Sequence, residues 1–227
     1  MIWTVPNILT FLRILAAPCV ALVFYVFDRP LADWIAFGLF VGAAFTDFFD
    51  GWLARKLNQM SEIGKMLDPI ADKAMVIIAL AVLMNNAPPM LKANLGEPSY
   101  DNWIAICAVT IIMREILVSG LREYLGNIKL DVTALAKWKT TAQMVAIGLL
   151  LLSIALFAFF DARLSAVDGY SGSVTFDDFE ALMALDLAKW THLVGASTLC
   201  IAAILTVITG WDYFRKGLAY IQEKEGR

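Results

Sequence analysis

Of the 227 residues, 60% are hydrophobic and only 17% are charged, with 18 Lys and Arg set against 21 Asp and Glu, and the mean hydropathy is +0.70. That balance excludes an ordinary soluble domain, in which about a quarter of residues are charged, and no nucleic-acid partner is expected. The chain reads as an all-α polytopic membrane protein, one domain over 1–227 built as a bundle of six transmembrane helices.

A span needs about 20 mainly apolar residues, and the stretches that qualify are 7–27, 34–54, 66–87, 103–125, 137–160 and 190–212. The first contains Arg13 and lacks a small-residue cleavage site behind a short apolar run, so it reads as a span and not a removable signal. Its Asn7, Thr10 and Arg13 recur at i, i+3, i+6 and give one polar edge. The second span carries Asp47, Asp50, Gly51 and Ala54 at i, i+3, i+4, i+7, on one helical face, followed by Arg55. The third holds Gly64, Asp68 and Asp72, the two acids one turn apart.

Span four contains Arg114 beside Glu115; adjacent residues point about 100° apart, so no pair between them is expected. Lys137 and Lys139 open span five, and the polar stretch 161–186 beyond it reads as a solvated loop. His192, the only histidine, is placed at the outer interface, where Trp3, Trp34, Trp103, Trp138, Trp190 and Trp211 also fall near span ends. Cys19, Cys107 and Cys200 are isolated in apolar spans and read as small core residues.

Orientation follows the basic residues near span ends, which favour the cytoplasmic side. Arg55, Lys56 and Lys65 sit between spans two and three, Arg122, Lys129, Lys137 and Lys139 between four and five, and Arg215, Lys216, Lys224 and Arg227 after span six. The opposite connections hold only Arg29, Lys92, Arg163 and Lys189. Both termini are therefore expected in the cytoplasm, and Arg13, the four aspartates, Arg114 and the two lysines converge in the cytoplasmic half of the bundle.

A charge at bilayer depth costs roughly 2.5–3.5 kcal/mol on insertion scales, so such residues line polar cavities, pair, or handle ions. All-carboxylate faces on two helices joined by a short hairpin suit hard divalent ions, Mg²⁺ or Mn²⁺. Gly51 and Ala54 remove bulk beside the acids, which lets a phosphate-bearing ligand approach the backbone, and Arg55 offers a fork for a phosphate. Metal plus diphosphate is a coherent pair, because metal ions neutralise charge during phosphoryl transfer. Asp72, deepest in its helix, is the candidate to take a proton from an attacking hydroxyl. Arg114, Lys137 and Lys139 add positive charge that a phosphorylated acceptor needs and an uncharged alcohol does not.

The order Asp47-x2-Asp50-Gly51-x2-Ala54-Arg55-x8-Gly64-x3-Asp68-x3-Asp72 resembles the complete motif of the CDP-alcohol phosphotransferases. The resemblance implies a six-helix membrane enzyme, usually a homodimer, that moves a phosphatidyl group from CDP-diacylglycerol to an alcohol and releases CMP. It makes Asp47, Asp50, Asp68 and Asp72 ligands of two metal ions, with Asp72 also the proton acceptor, and gives Gly51, Arg55 and Ser61 contacts with the CDP-lipid, to which Asn7, Thr10, Arg13 and Ala54 are added here. Pro6-Asn7-x2-Thr10-x2-Arg13, Arg114-Glu115-Ile116, Leu121-Arg122-Glu123 and Lys137-Trp138-Lys139-Thr140-Thr141-Ala142-Gln143-Met144 resemble the bacterial phosphatidylglycerophosphate synthases, a branch of that family. That likeness implies sn-glycerol 3-phosphate as acceptor, held by Arg114, Lys137 and Lys139, in a bacterial cytoplasmic membrane. Ala136, where Gly is the family residue, and the 161–186 stretch are departures; neither touches the acid motif. The competing readings are a relative using serine, inositol phosphate or a phospholipid as acceptor, an intramembrane cation transporter, and an intramembrane prenyltransferase.

Overall fold

The computed structural model describes residues 5–57, 62–86, 98–125, 134–167 and 176–225, with side chains over 7–47, 63–86 except Lys65, 102–124, 138–163 and 183–222. Six helices account for these residues: α1 Val5–Val26, α2 Leu31–Leu57, α3 Glu62–Asn85, α4 Pro98–Leu125, α5 Ala134–Val167 and α6 Phe176–Glu225. Each covers one expected span. Among the described residues, α1, α4, α5 and α6 are long and apolar enough on their own to cross a membrane.

Two expectations fail at the end of the bundle away from the acids. The 161–186 stretch is largely helical, because α5 runs on to Val167 and α6 begins at Phe176. Helix α6 is 50 residues long, far beyond the 190–212 span read from hydropathy. Its sequence has no proline, and Asp177, Asp178 and Glu180 stand in its first turns, where negative charge complements the helix N-terminus. The extensions also bury apolar surface: Leu156, Phe157 and Phe160 of α5 pack with Leu185 and Ala188 of α6 in a separate cluster.

Helix α5 packs along α6, α1 against both α2 and α3, and α4 against α6, while α2 meets α5 and α3 meets α4 and α5. The main core draws on all six helices, with Val20, Phe40, Met75, Leu80, Ile111, Ile147, Leu150 and Leu199 almost wholly buried. Lipid tails are as apolar as leucine, so helices in a membrane associate through close packing of small residues. Ala17, Ala36, Ala79, Ala108, Ala146 and Ala188 are accordingly buried, and Leu12, Leu22, Leu117 and Ile204 face outward. At Gly195 a Cβ atom would stand 3.0 Å from Leu150 Cγ and 3.2 Å from its backbone nitrogen, so glycine sets the approach of α6 to α5.

Several side chains occupy places other than those expected. His192 is buried between α5 and α6, with its Nδ1 3.1 Å from Ser153 Oγ and its ring edge-on to Phe157, because the extended α6 carries it into the bundle. Cys19 faces outward, whereas Cys107 and Cys200 meet across α4 and α6 with sulfurs 3.4 Å apart. Trp103, Trp138, Trp190 and Trp211 all point outward, as a belt at the lipid headgroups requires. At the opposite end from the acids, Arg29 donates to the Asn86 carbonyl and lies 3.5 Å from buried Asp33, tying the α1–α2 turn to the end of α3.

Candidate active site

Helices α1, α2 and α3 bring their polar residues to one place. Arg13 of α1 donates through Nη1 to Asp47 Oδ1 of α2 at 2.7 Å and to Asp72 Oδ1 of α3 at 3.0 Å. One turn away, Thr10 Oγ1 donates to Asp68 Oδ1 at 2.7 Å. The Arg13 side chain is 2% exposed, against 45% for Asp47 and 56% for Asp72, so the cation lies beneath and the carboxylates form the surface. Two acids from different helices thus meet on one nitrogen, which fixes the α2–α3 spacing at this level. Asn7 and Thr10 are buried with Arg13 along the same edge of α1.

Among the described residues one arginine stands against three carboxylates, an all-oxygen, half-exposed donor set that suits a hard divalent cation. Among the described residues no three His, Cys, Asp or Glu converge closely enough to hold an ion alone. The α2 backbone carries Asp50 one turn beyond Asp47, followed by Gly51, Ala54 and Arg55, but the side chains of Asp50, Ala54 and Arg55 lie outside the described residues. So do Ser61 altogether and the side chain of Lys137, which stands on α5.

A second cluster lies between α4, α5 and α6. Lys139 of α5 donates to Glu115 of α4, and Arg114 Nη1 lies 3.4 Å from the same Glu115 oxygen. Arg114 Nη2 donates to Thr209 Oγ1 of α6 at 3.2 Å, and its guanidinium stands 5.9 Å over the Tyr213 ring. Arg122 donates to the Tyr213 hydroxyl at 2.7 Å. Gly210 makes room for this: a Cβ there would lie 3.0 Å from Arg114 Cγ. The contact between Arg114 and Glu115 overturns the expectation that helix neighbours do not meet. Both side chains are long, and Lys139 draws the Glu115 carboxylate round its helix. The two clusters are linked through Lys73, next to Asp72, which donates to Ser119 of α4.

Arg114 and Lys139 are therefore brought together, as are Thr10, Arg13, Asp47, Asp68 and Asp72. Glu115, Thr209, Tyr213, Lys73 and Ser119 were missed by sequence reasoning. Glu115 and Lys73 carried a signal, since each is a charge inside an apolar span; Thr209, Tyr213 and Ser119 carried none.

Two apolar grooves flank these clusters. One, of about 420 Å³, runs between α2 and α5 and is lined by Phe37, Val41, Ala44, Phe45, Val145 and Gly148, ending two residues short of Asp47. The other, of about 480 Å³, lies between α4 and α6 beside Arg114, Leu117, Gly210 and Trp211.

Known proteins match this chain over most of its length. Residues 3–175 fit the family model described as CDP-alcohol phosphatidyltransferase. A protein of Cereibacter sphaeroides is 45% identical over 232 residues, covering 99% of this chain and all of its own. One of Rickettsia bellii is 40% identical, covering 92% of this chain and 93% of its own, and one of Escherichia coli K12 is 38% identical over 66% and 78%. All three carry the name CDP-diacylglycerol–glycerol-3-phosphate 3-phosphatidyltransferase. With relatives aligned almost end to end, and with the aspartate motif standing on two helices that both pack against α1 and its buried arginine, the chain belongs to the CDP-alcohol phosphatidyltransferase family.

Proposed function

We propose that this protein transfers the phosphatidyl group of CDP-diacylglycerol to sn-glycerol 3-phosphate, giving phosphatidylglycerophosphate and CMP. The observation that carries the reading is the end-to-end likeness, at 45% identity, to a relative bearing that activity in its name. The juxtaposition of an acidic and a cationic cluster supports it, since the reaction needs one region for a metal-bound diphosphate and another for an acceptor phosphate. A bacterial cytoplasmic membrane, with the site and both termini in the cytoplasm, is the location proposed, and a homodimer the assembly.

The glycerol hydroxyl gives its proton to Asp72, and its oxygen attacks the phosphorus bearing diacylglycerol; the bond from that phosphorus to the bridging oxygen breaks, and CMP leaves. The half-exposed carboxylate of Asp72 is open to such a hydroxyl, while its bond to Arg13 keeps it aimed. Asp47, Asp50, Asp68 and Asp72 would hold two Mg²⁺ or Mn²⁺ ions, which when bound neutralise the diphosphate and the charge developing on CMP. Asn7, Gly51, Ala54, Arg55 and Ser61 are assigned to binding the CDP-lipid, and Thr10 and Arg13 serve it through the carboxylates they orient. Arg114, Lys137 and Lys139 bind the acceptor phosphate, Arg as a fork and Lys as a point charge. An acyl chain of the lipid lies in the α2–α5 groove.

The test is CMP release by purified protein in detergent with CDP-diacylglycerol and Mg²⁺ or Mn²⁺, comparing glycerol 3-phosphate with serine, inositol phosphate and no acceptor. Turnover confined to glycerol 3-phosphate is expected, and Asp72→Asn should lower it by about 100-fold or more. Turnover with another acceptor would replace the substrate but keep the class. No CMP from folded protein would reopen the transporter and prenyltransferase readings.

A further inference from the structure

Among the described residues Glu115 is the one acid that pairs with the cations of this cluster, and two cations from different helices converge on it. Lys139, 4% exposed, reaches it from α5; Arg114, 13% exposed, reaches the same oxygen from its own helix while Thr209 of α6 holds the other arm of the guanidinium. Two like charges so far withdrawn from water repel one another, and with nothing between them their flexible stems would turn apart. A carboxylate shared by both draws the ammonium and the guanidinium toward one point, and so converts separate charges on α4 and α5 into a fixed pair. Arg122 of α4 anchors separately to Tyr213 of α6, which leaves Glu115 to tie α4 to α5.

We propose that Glu115 is a positioning residue for the acceptor: it sets Lys139 and Arg114 at the separation at which both can bind one phosphate group. The proposal rests on the reading of glycerol 3-phosphate as acceptor. Glu115 is not itself a phosphate ligand, because its charge has the sign of the phosphate's. It acts through the two cations, and a phosphate arriving between them finds its donors already oriented instead of having to order two long side chains. Gly210 belongs to the same device, since its missing side chain leaves the space in which Arg114 lies against α6.

Glu115→Gln keeps the shape and removes the charge. In steady-state assays of the full-length protein, the KM for glycerol 3-phosphate is expected to rise about fivefold or more, with the KM for CDP-diacylglycerol unchanged. Glu115→Asp, which restores the charge on a shorter stem, recovers part of the loss. Added to Lys139→Gln, the Glu115→Gln change causes little further rise, because it works through the lysine. An unchanged acceptor KM, an equal rise in both KM values, or full additivity with Lys139→Gln would overturn the proposal. Should Glu115→Gln fail to fold, Glu115→Asp decides: a selective rise in acceptor KM supports the role, and none removes it. Failure of the parent protein to use glycerol 3-phosphate would instead strike the proposed substrate, so the two failures are distinguishable.

Discussion

Arg13 Nη1 lies 2.7 Å from Asp47 Oδ1, with the guanidinium sealed inside the bundle and the carboxylate at its surface. The arginine therefore serves as an internal counter-charge for acids on two other helices. Replacing it by Gln leaves Asp47 and Asp72 facing each other without compensation, and breaking such a pair from the buried side is costly. The melting temperature of Arg13→Gln in detergent should fall by about 5 °C or more without metal. Excess Mg²⁺ should narrow the gap to the parent protein, because an ion bound by the acids replaces the missing charge. A gap that Mg²⁺ leaves untouched would separate Arg13 from the metal site.

Gly210→Ala places a methyl 3.0 Å from Arg114 Cγ and pushes that side chain back by a few tenths of an ångström. The acceptor KM should rise severalfold with little change for the CDP-lipid. Gly38→Ala is the control: nothing lies within 4 Å of its added Cβ, and alanine is the better helix former by up to about 1 kcal/mol. Steady-state kinetics on the two variants should therefore diverge.

Gly195→Ala tests packing away from the chemistry. The new methyl would stand 3.0 Å from Leu150 Cγ and 3.1 Å from Leu149 Cβ, with backbone just behind, so α5 and α6 must separate. Overpacking of this kind costs about 1–3 kcal/mol. A thermal-shift assay should report a lower melting temperature, with both KM values preserved in the protein that remains folded.

The groove between α2 and α5 gives a lipid-side prediction. Ala44→Trp fills it close to Asp47 and should raise the KM for long-chain CDP-diacylglycerol while leaving the glycerol 3-phosphate KM alone. Comparing long-chain with short-chain lipid substrates checks the assignment, because a short chain needs less of the groove.

Helix number and order were legible because each span is a run of apolar residues, and the acid face of α2 was legible because helical periodicity follows from spacing alone. What spacing does not encode is the rotation of one helix against another. That is why Arg13 could be placed at the right depth but not beneath Asp47 and Asp72, and why Cys107 and Cys200 read as isolated though their sulfurs nearly touch. Glu115 escaped for a different reason: backbone geometry separates it from Arg114, and the reach of two flexible side chains restores the contact. The polar composition of 161–186 suggested a loop, but helix propensity and the cluster around Phe157 extend both neighbouring helices into it.

At 1.5 Å per residue α6 measures about 75 Å, against a hydrocarbon layer of about 30 Å. The rod is more than twice as long as that layer is thick, and it packs along α5 and α4. About two-thirds of the way along it stands Thr209, which touches the arginine of the cationic cluster. The molecule thus contains its own gauge of tilt: labels at the two tips of α6 would register any rocking of the bundle as a displacement magnified by the length of the lever.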